Sequence, residues 1–319
     1  MQAQPFDPAR LAPDVRRVLE AMAAGDAPLL ESLPMAQMRE AYKQIGASLG
    51  GEPLAVGAVH ERHAEGPAGP IPLRLYLPEE GEGAHAATIY LHGGGWSVGD
   101  LDTHDKVCRR LVHTSGHAVV SVDYRLAPEH PAPAGPEDVV AAIRWLFSHA
   151  AEVGLDPQRL AVAGDSAGGS LSAVATLQLR GEIPLLAQVL FYPCLDLSPA
   201  ADAFASRSEN GNVPPLTLAA MHAMSAPFVG NFNTRDQRLS PLQADDFHSL
   251  PPALIFTGEC DVLRDDGRLY RNALTKAGVE VDYVEVPGMV HGFIEMAGVL
   301  PAAVQAFERA GSFLRKQIG

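Results

Sequence analysis

The sequence predicts an α/β protein with a mostly parallel central sheet of about eight strands flanked by helices. From about Ala87 onward, short apolar runs bounded by Gly, Pro or Asp alternate with longer segments of helical periodicity. This alternation is typical of parallel strands joined by crossover helices. Hydrophobic residues make up 47% of the 319 residues, which is enough for a substantial core. We find no internal repeat, so a single domain over residues 1–319 with insertions is preferred to two independent domains.

The predicted strands are short runs, most of which carry Val, Ile, Leu or aromatic residues. Two weaker strands near Val56–His60 and Pro72–Leu77 would start the sheet. The strands of the alternating part are Ala87–Leu91, Ala118–Val122, Leu160–Ala163, Ala187–Tyr192, Ala253–Thr257 and Val281–Val286.

The predicted helices fill the gaps between these strands. Two of them stop at a glycine, Gly116 or Gly278, as helices often do. The clearest helices are Asp105–Ser115, Pro136–Glu152, Gly169–Arg180, Gly267–Ala277 and Ala302–Gln317.

Two regions do not follow the alternation. Residues 1–50 resemble short amphipathic helices, and residues 196–247 are polar and Pro-rich around a Met-containing helix. We expect these two regions to form a helical cap over a core made of residues 51–195 and 248–319.

Composition excludes several classes of protein. The chain carries 24 Lys and Arg against 38 Asp and Glu, a net charge of −14, which repels nucleic acid and anionic membrane surfaces. The amino terminus lacks the basic and apolar regions of a secretory signal, and no apolar run is long enough for a membrane span. The three cysteines, Cys108, Cys194 and Cys260, are an odd number without a CxxC pair. They predict reduced thiols in the cytoplasm rather than disulfides or structural zinc.

A nucleophile motif follows the strand that ends at Ala163. Gly164-Asp165-Ser166-Ala167-Gly168-Gly169 lies between a strand and a helix, which is the arrangement of a nucleophile elbow. The sharp turn would hold the Ser166 hydroxyl out over the sheet. The alternatives are an ordinary Gly-rich turn or a phosphate cradle, although the segment lacks the lysine of a P-loop.

A glycine-rich loop, His92-Gly93-Gly94-Gly95-Trp96, follows the strand Ala87–Leu91. Acyl transfer develops negative charge on a carbonyl oxygen, which backbone N–H groups of such a loop stabilise without reorganising. The N–H of Ala167 would complete this oxyanion hole. The alternative is a flexible glycine loop, and we interpret His92 as a structural residue that holds the loop.

A serine nucleophile needs a base and an orienting carboxylate. Asp261 and His291 both lie in loops that leave predicted strands. The chain order of serine, acid and histidine is that of α/β-hydrolases, and it differs from chymotrypsin-like and subtilisin-like enzymes. Eleven other histidines compete with His291. The rivals of Asp261 are Glu259, Asp265 and Asp266, of which the last two resemble the first turn of a helix.

The cluster Asp102, His104 and Asp105 suggests a metal site at first sight. We favour a helix start at Thr103 or His104, because the first turn of a helix favours Asp. The sequence therefore predicts neither a metal nor a cofactor.

Residues 70–315 resemble the bacterial hormone-sensitive-lipase-type esterases, the family IV carboxylesterases of the α/β-hydrolase superfamily. The resemblance rests on His92-Gly-Gly-Gly-Trp96, Gly99-Asp-Leu-Asp-Thr-His104, Ser121-Val-Asp-Tyr-Arg-Leu-Ala-Pro-Glu129, Gly164-Asp-Ser-Ala-Gly-Gly169 and His291-Gly-Phe293. The acid motif departs from the family pattern: Asp261-Val262-Leu263 stands where Asp-Pro-Leu is usual.

The resemblance implies a role for each motif residue. Its implied catalytic residues are Ser166 as nucleophile, His291 as base and Asp261 as acid. The implied oxyanion donors are the N–H groups of Gly94, Gly95 and Ala167, with Gly93 shaping the loop. The resemblance also implies a helical cap, short to medium acyl esters as substrates, and a homodimer through the last sheet edge.

The sequence thus predicts a cofactor-independent serine carboxylesterase that works through an acyl-enzyme. Its activity should rise as His291 loses its proton at about pH 6 to 7. Two other functions stay open. One is amide or peptide hydrolysis by the same triad, and the other is ligand binding by a scaffold that has lost its base.

Overall fold

The computed structural model describes residues 5–25, 28–79 and 83–319. Their centre is one eight-stranded sheet with the spatial order β1-β2-β4-β3-β5-β6-β7-β8. The strands are β1 (Ala58–Gly66), β2 (Gly69–Leu77), β3 (His85–Leu91), β4 (Ala118–Val122), β5 (Leu155–Asp165), β6 (Leu185–Phe191), β7 (Ala253–Gly258) and β8 (Val281–Val286).

Strand β2 is antiparallel to both β1 and β4, whereas every pair from β4 to β8 is parallel. The mostly parallel α/β sheet predicted from the sequence is therefore confirmed. In register, Leu91 pairs with Val122 and with Gly164, and Phe191 pairs with Asp165 and with Phe256. The loops that follow these strands consequently leave the sheet side by side at one edge.

Helices cover both faces of the sheet. The α-helices are α1 (Pro13–Ala23), α2 (Met35–Leu49), α3 (Asp105–Ser115), α4 (Ala134–Ser148), α5 (Ala167–Gln178), α6 (Ala205–Glu209), α7 (Leu218–Val229), α8 (Arg264–Lys276) and α9 (Pro301–Ile318).

Side-chain alternation in the strands assigns these helices to the two faces. Ile89 of β3 belongs to the core cluster that contains residues of α4 and α5, and its neighbour Tyr90 belongs to the cluster with α3 and α9. Successive strand side chains point to opposite faces, so one helix pair packs on each side. Helix α8 packs with α5 against β6 and β7 on the same face as α4.

Element boundaries differ most from prediction where burial is weak. Strand β1 runs over Ala58–Gly66 instead of Val56–His60, and most of its residues are exposed. An exposed strand lacks the buried apolar alternation that marks a strand in a sequence. Helix α4 ends at Ser148, because a separate 3₁₀ turn, Ala150–Val153, follows it.

Among the described residues, no helix has both the length and the apolar character needed to cross a membrane. The three cysteines are free and buried.

Candidate active site

Ser166 occupies the turn between β5 and α5 in a strained backbone conformation, with φ 52° and ψ −116°. Its N–H donates to the carbonyl of Phe191 at 2.9 Å, which fixes the turn against β6. A Cβ atom on Gly168 would overlap the Leu91 carbonyl of β3, so only glycine allows this close approach. The neighbouring strands thus hold Ser166 in a backbone conformation whose strain alone costs about 1–3 kcal/mol of free energy.

The structure brings Ser166, His291 and Asp261 into one hydrogen-bonded chain. His291 Nε2 lies 2.9 Å from Ser166 Oγ, and His291 Nδ1 lies 2.9 Å from Asp261 Oδ2. Asp261 is buried, and its second oxygen, Oδ1, accepts the N–H of Leu263 at 2.8 Å. This arrangement can draw a proton from the hydroxyl while the carboxylate holds the imidazole.

Two opposing influences act on His291. Burial lowers the pKa of His291, but the negative charge and the hydrogen bond of Asp261 raise it by more, so the net pKa is above its usual value. The imidazole is therefore a stronger base than a free histidine. A raised pKa favours uptake of a proton from the neighbouring hydroxyl.

The three rival carboxylates have other partners. Glu259 accepts the N–H of Gly288, Asp265 accepts the N–H of Ser206, and Asp266 accepts the N–H of Leu195. Asp265 and Asp266 lie in the first turn of α8, as the sequence predicted.

The loop that carries Asp261 is held by the inserted segment that contains α6. Asn210 donates its side-chain amide to the carbonyls of Glu259 and Asp261, and both Ser206 and Arg207 donate to the carbonyl of Val262. Sequence reasoning missed these residues. They lie about fifty positions before the loop, and a buried polar residue in an irregular segment gives no periodic signal.

The glycine loop after β3 faces Ser166. Gly94 has φ 117° and Gly95 has φ 56°, both in the region that favours glycine. A Cβ atom on Gly94 would overlap the carbonyl of Val98. Both glycines line the same cavity as Ser166.

The remaining sequence-predicted members of this loop have distinct positions. The N–H of Gly93 donates to Asp165 Oδ1 at 3.0 Å, so it supports the loop from below. Ala167 is the first residue of α5, where an N–H has no intrahelical acceptor and is available to a ligand. The side chain of His92 is buried, with Nδ1 2.8 Å from the Gly93 carbonyl. Burial, with a smaller effect of His104, lowers the pKa of His92 to about 4.

An apolar cavity opens above Ser166. It measures about 940 Å³ including its open mouth. Its wall combines residues of the core loops with residues from both regions that depart from the α/β alternation: Met22, Leu30, Tyr42, Ile45 and Leu49 from the first fifty positions, and Leu216, Met221, Met224 and Ser225 from the insertion.

One group of residues in the described part of the chain has the donor set of a metal site: His104, Asp165 and Glu295. Its carboxylates already accept protein hydrogen bonds, from Tyr90 at Asp165 and from Tyr42 at Glu295. Sequence reasoning placed His104 at a helix start and gave it no other part. Helix α3 does begin next to it, but its side chain is fully buried.

The neighbours of His104 in the sequence face elsewhere. Asp102 pairs with Lys43 and Arg74, and Asp105 pairs with Arg109. The three residues of the apparent Asp102, His104 and Asp105 cluster therefore do not converge on one point.

Comparison with known proteins gives consistent results. The chain matches the family model described as "alpha/beta hydrolase fold" over residues 88–295. It is 44% identical over 254 residues to carboxylesterase NlhH of Mycobacterium tuberculosis, covering 78% of this chain and 79% of that protein. It is 34% identical over 305 residues to the ethyl acetate hydrolase of Pseudomonas putida, covering 92% and 95%. A crystal structure of an alpha/beta hydrolase enzyme from the metagenome of Lake Arreo, Spain, superposes with a TM-score of 0.92 and 39% identity, covering 97% of this chain and 98% of that chain.

Proposed function

We propose that this chain cleaves short- to medium-chain acyl esters through an acyl-enzyme on Ser166. The chain belongs to the hormone-sensitive-lipase type of α/β-hydrolases and is a carboxylic ester hydrolase. The observation that carries the proposal is the hydrogen-bonded chain from Ser166 through His291 to Asp261, with 2.9 Å at each step.

In the acylation half-reaction, Ser166 Oγ attacks the ester carbonyl carbon and its proton passes to His291 Nε2. The carbonyl π electrons move to the oxygen, and the N–H groups of Gly94, Gly95 and Ala167 stabilise the resulting oxyanion. Asp261 keeps the Nδ1–H of the imidazole in place and stabilises the imidazolium. His291 then gives its proton to the departing alcohol as the carbon–oxygen bond breaks.

In the deacylation half-reaction, water takes the place of the alcohol. His291 removes a proton from the water as its oxygen attacks the acyl carbon, and the same N–H groups stabilise the second oxyanion. The imidazolium returns the proton to Ser166 Oγ as the ester bond to the serine breaks. The products are a carboxylic acid and the free enzyme.

The cavity supports the proposed substrate class. Its wall is rich in Met, Leu and Ile, which favours an apolar acyl chain. We propose that it accepts the acyl chain of a short or medium ester. The similarity to a protein named ethyl acetate hydrolase supports the short end of this range. We propose that residues 1–50 and 196–247 act as the cap that sets the upper limit of acyl-chain length.

The central test compares Ser166→Ala with Ser312→Ala, a matched change at an exposed serine of α9. We expect Ser166→Ala to lose hydrolysis of p-nitrophenyl acetate and butyrate and to lose labelling by a fluorophosphonate probe, while Ser312→Ala keeps both. Full esterase activity in Ser166→Ala would reject the mechanism. Unlabelled Ser166 in an inactive wild-type chain would indicate a ligand-binding scaffold instead.

A substrate series separates ester from amide hydrolysis. We expect a p-nitrophenyl acyl ester to be cleaved much faster than the matching anilide, because no added peptidase feature accompanies the triad in the sequence. Comparable rates would favour an amidase. Within the ester series from acetate to laurate, we expect kcat/KM to be highest for short or medium chains.

A further proposal rests on the family resemblance. A homodimer would pair through β8, which forms one edge of the sheet, and its molar mass by light scattering would be twice that of the chain.

We also propose a cytoplasmic location, which rests on the free cysteines. Fractionation of the native host would test it.

A further inference from the structure

Three ionisable side chains, two of them buried and one half-buried in the cavity wall, lie next to the candidate active site and take no part in the proposed proton transfers. His104 Nε2 is 3.3 Å from Asp165 Oδ1 and 3.9 Å from Glu295 Oε2. His104 and Asp165 are fully buried, and the Glu295 side chain is 17% exposed. Charged groups at such depth are costly unless they neutralise each other.

The hydrogen bonds of Thr103 define the proton state of His104. The Thr103 hydroxyl lies 2.8 Å from the carbonyl of Asp100, which can only accept, and 2.9 Å from His104 Nδ1. We assign the hydroxyl hydrogen to the carbonyl, so that the hydroxyl oxygen accepts from His104 Nδ1. Nδ1 therefore carries a hydrogen. A neutral ring would then turn the lone pair of Nε2 toward two carboxylates. The Gly93 N–H is 3.3 Å from Nε2 and 3.0 Å from Asp165 Oδ1, and it donates to the nearer carboxylate. The structure assigns a second proton to Nε2, which makes His104 an imidazolium.

The partners of His104 belong to the loops that form the site. Asp165 directly precedes Ser166 and accepts the N–H of Gly93 in the glycine loop. Glu295 lies in the 3₁₀ turn Phe293–Met296, just after His291. A shift of either carboxylate would therefore move a group that touches the reacting atoms.

Two tyrosines complete the shell around these carboxylates. Tyr90 of β3 donates to Asp165 at 2.6 Å, and Tyr42 of α2 donates to Glu295 at 2.8 Å. Because α2 belongs to the first fifty residues, the hydrogen bond from Tyr42 to Glu295 also connects the proposed cap to the segment that carries His291.

We propose that His104 is a positioning residue: as a buried imidazolium it draws Asp165 and Glu295 together, and so keeps the glycine loop and the segment of His291 in register with Ser166. This inference rests on the proposed function, because it assigns a role in the same reaction. His104 contacts no reacting atom. Its effect on the rate passes through the two carboxylates.

Electrostatics agrees with this geometry. Burial lowers the pKa of His104, but the negative charge of Asp165 and its hydrogen bond, with a contribution from Glu295, raise it above its usual value. Burial raises the pKa of Glu295, and the positive charge of His104 opposes that increase. The titratable and charged groups that surround the cluster are Tyr42 from α2, Tyr90 and His92 from β3 and its loop, Asp100, Tyr124, Tyr192 and the His291–Asp261 pair.

The main test is His104→Gln, which keeps a polar side chain and removes the charge. We expect kcat to fall about 10- to 100-fold with KM within about twofold of wild type, because displaced oxyanion donors affect the transition state more than substrate binding. His113→Gln is the matched control, since His113 is an exposed histidine of α3, the helix that begins next to His104. It should leave both constants unchanged.

Charge compensation distinguishes a positioning imidazolium from mere filling of space. In His104→Gln two carboxylates lose their cation, and Glu295→Gln in the same chain removes one of them. We expect the double variant to have at least about threefold higher kcat than His104→Gln alone, a coupling that independent losses do not produce. A double variant whose loss equals the product of the two single losses would overturn the proposal.

The acid limb of kcat/KM provides a second readout that a purely structural role would not move. Removing the positive charge in His104→Gln should shift the limb to higher pH, because His291 then holds its proton more tightly. Removing the negative charge in Glu295→Gln should shift it to lower pH. If His104→Gln does not fold, the Glu295→Gln shift decides the question, and an unmoved limb would reject the inference.

The two proposals fail in different ways. Wild-type kcat in His104→Gln, combined with an inactive Ser166→Ala, would remove only the positioning role. An active Ser166→Ala would remove the proposed function itself.

Discussion

Asn210 in the inserted segment donates its side-chain amide to the backbone carbonyls of both Glu259 at 3.0 Å and Asp261 at 2.9 Å. The segment thereby fixes the acid loop from outside. The family pattern has a proline after the aspartate, whereas this chain has Val262. Proline restricts backbone dihedrals covalently. Here hydrogen bonds from Asn210, Ser206 and Arg207 supply a constraint on the same loop.

The first prediction concerns Asn210, which is fully buried. Asn210→Ala removes the side-chain donor from the carbonyl of Glu259 and one of two donors from the carbonyl of Asp261, which still accepts the N–H of Arg264. We expect the free energy of unfolding to fall by about 1–3 kcal/mol. We also expect a lower kcat, because Asp261 loses part of its support. Denaturant unfolding and steady-state kinetics measure the two effects. Asn272→Ala, an exposed change on α8, is the control. If Asn210→Ala had the free energy of unfolding and the kcat of wild type, the Asp261 loop would keep its conformation without Asn210.

The sequence predicted the bounds of two strands correctly, the fully buried β4 and the half-buried β8. Both are rich in Val, which favours strands. The predicted position of β1 was wrong because most of its residues are exposed. The strand forms through its pairing with β2 rather than through an apolar pattern of its own. Tertiary pairing of this kind is invisible in a single sequence.

The site was predictable to the extent that its residues follow strands. Ser166, Asp261 and His291 each stand shortly after a strand, so the parallel sheet was enough to bring them to one edge. His104, Asp165 and Asn210 could not be assigned in this way. Each is a buried polar residue whose partners come from distant segments, and only the folded chain shows those contacts.

The second prediction concerns the glycine loop after β3, which we propose forms the oxyanion hole. In Gly94→Ala, the new methyl group meets the Val98 carbonyl at a backbone φ of 117°, so the loop must move. We expect kcat to fall about 100- to 1,000-fold, as for loss of one oxyanion donor. Gly116→Ala is the matched control, since Gly116 has φ 72° but open space around it at the end of α3. Because alanine is strained in this left-handed conformation, the change should lower the free energy of unfolding by about 1–2 kcal/mol and leave kcat unchanged. Similar kinetics in the two variants would contradict this view of the loop.

The third prediction concerns the buried ion pair between Arg207 and Asp266, 2.8 Å apart. Arg207→Met leaves a buried carboxylate without its cation, and we expect the free energy of unfolding at pH 8 to fall by about 3–5 kcal/mol. Arg309→Met breaks the exposed pair with Asp282 and should cost less than about 1 kcal/mol. Chemical denaturation of both variants measures the contrast. Equal losses would indicate that burial of the pair does not matter.

The same variant has a defined pH dependence. Burial raises the pKa of Asp266 to about 6 in the folded chain, even though Arg207 opposes the increase. Between its usual pKa and this value the folded state binds more protons than the unfolded state, so the contribution of Asp266 to stability grows as the pH falls. Without Arg207 the folded pKa rises further. We therefore expect the deficit of Arg207→Met to shrink between pH 8 and pH 5, and a constant deficit would contradict this assignment.

The fourth prediction concerns Asp261 and the pH profile. In the proposed mechanism only neutral His291 accepts the proton of Ser166, and Asp261 raises the pKa of His291 despite its burial. The acid limb of the pH profile of kcat/KM should therefore have its midpoint above the ordinary histidine pKa of about 6.5, higher than the sequence alone suggested.

In Asp261→Asn the negative charge beside His291 is lost, so the acid limb should move to lower pH. The plateau should fall about 10⁴-fold, because an amide no longer holds the Nδ1–H tautomer. Asp282→Asn, at an exposed aspartate of β8 paired with Arg309, should change neither quantity. If Asp261→Asn kept both the plateau and the midpoint of wild type, the carboxylate would have no part in orienting the base.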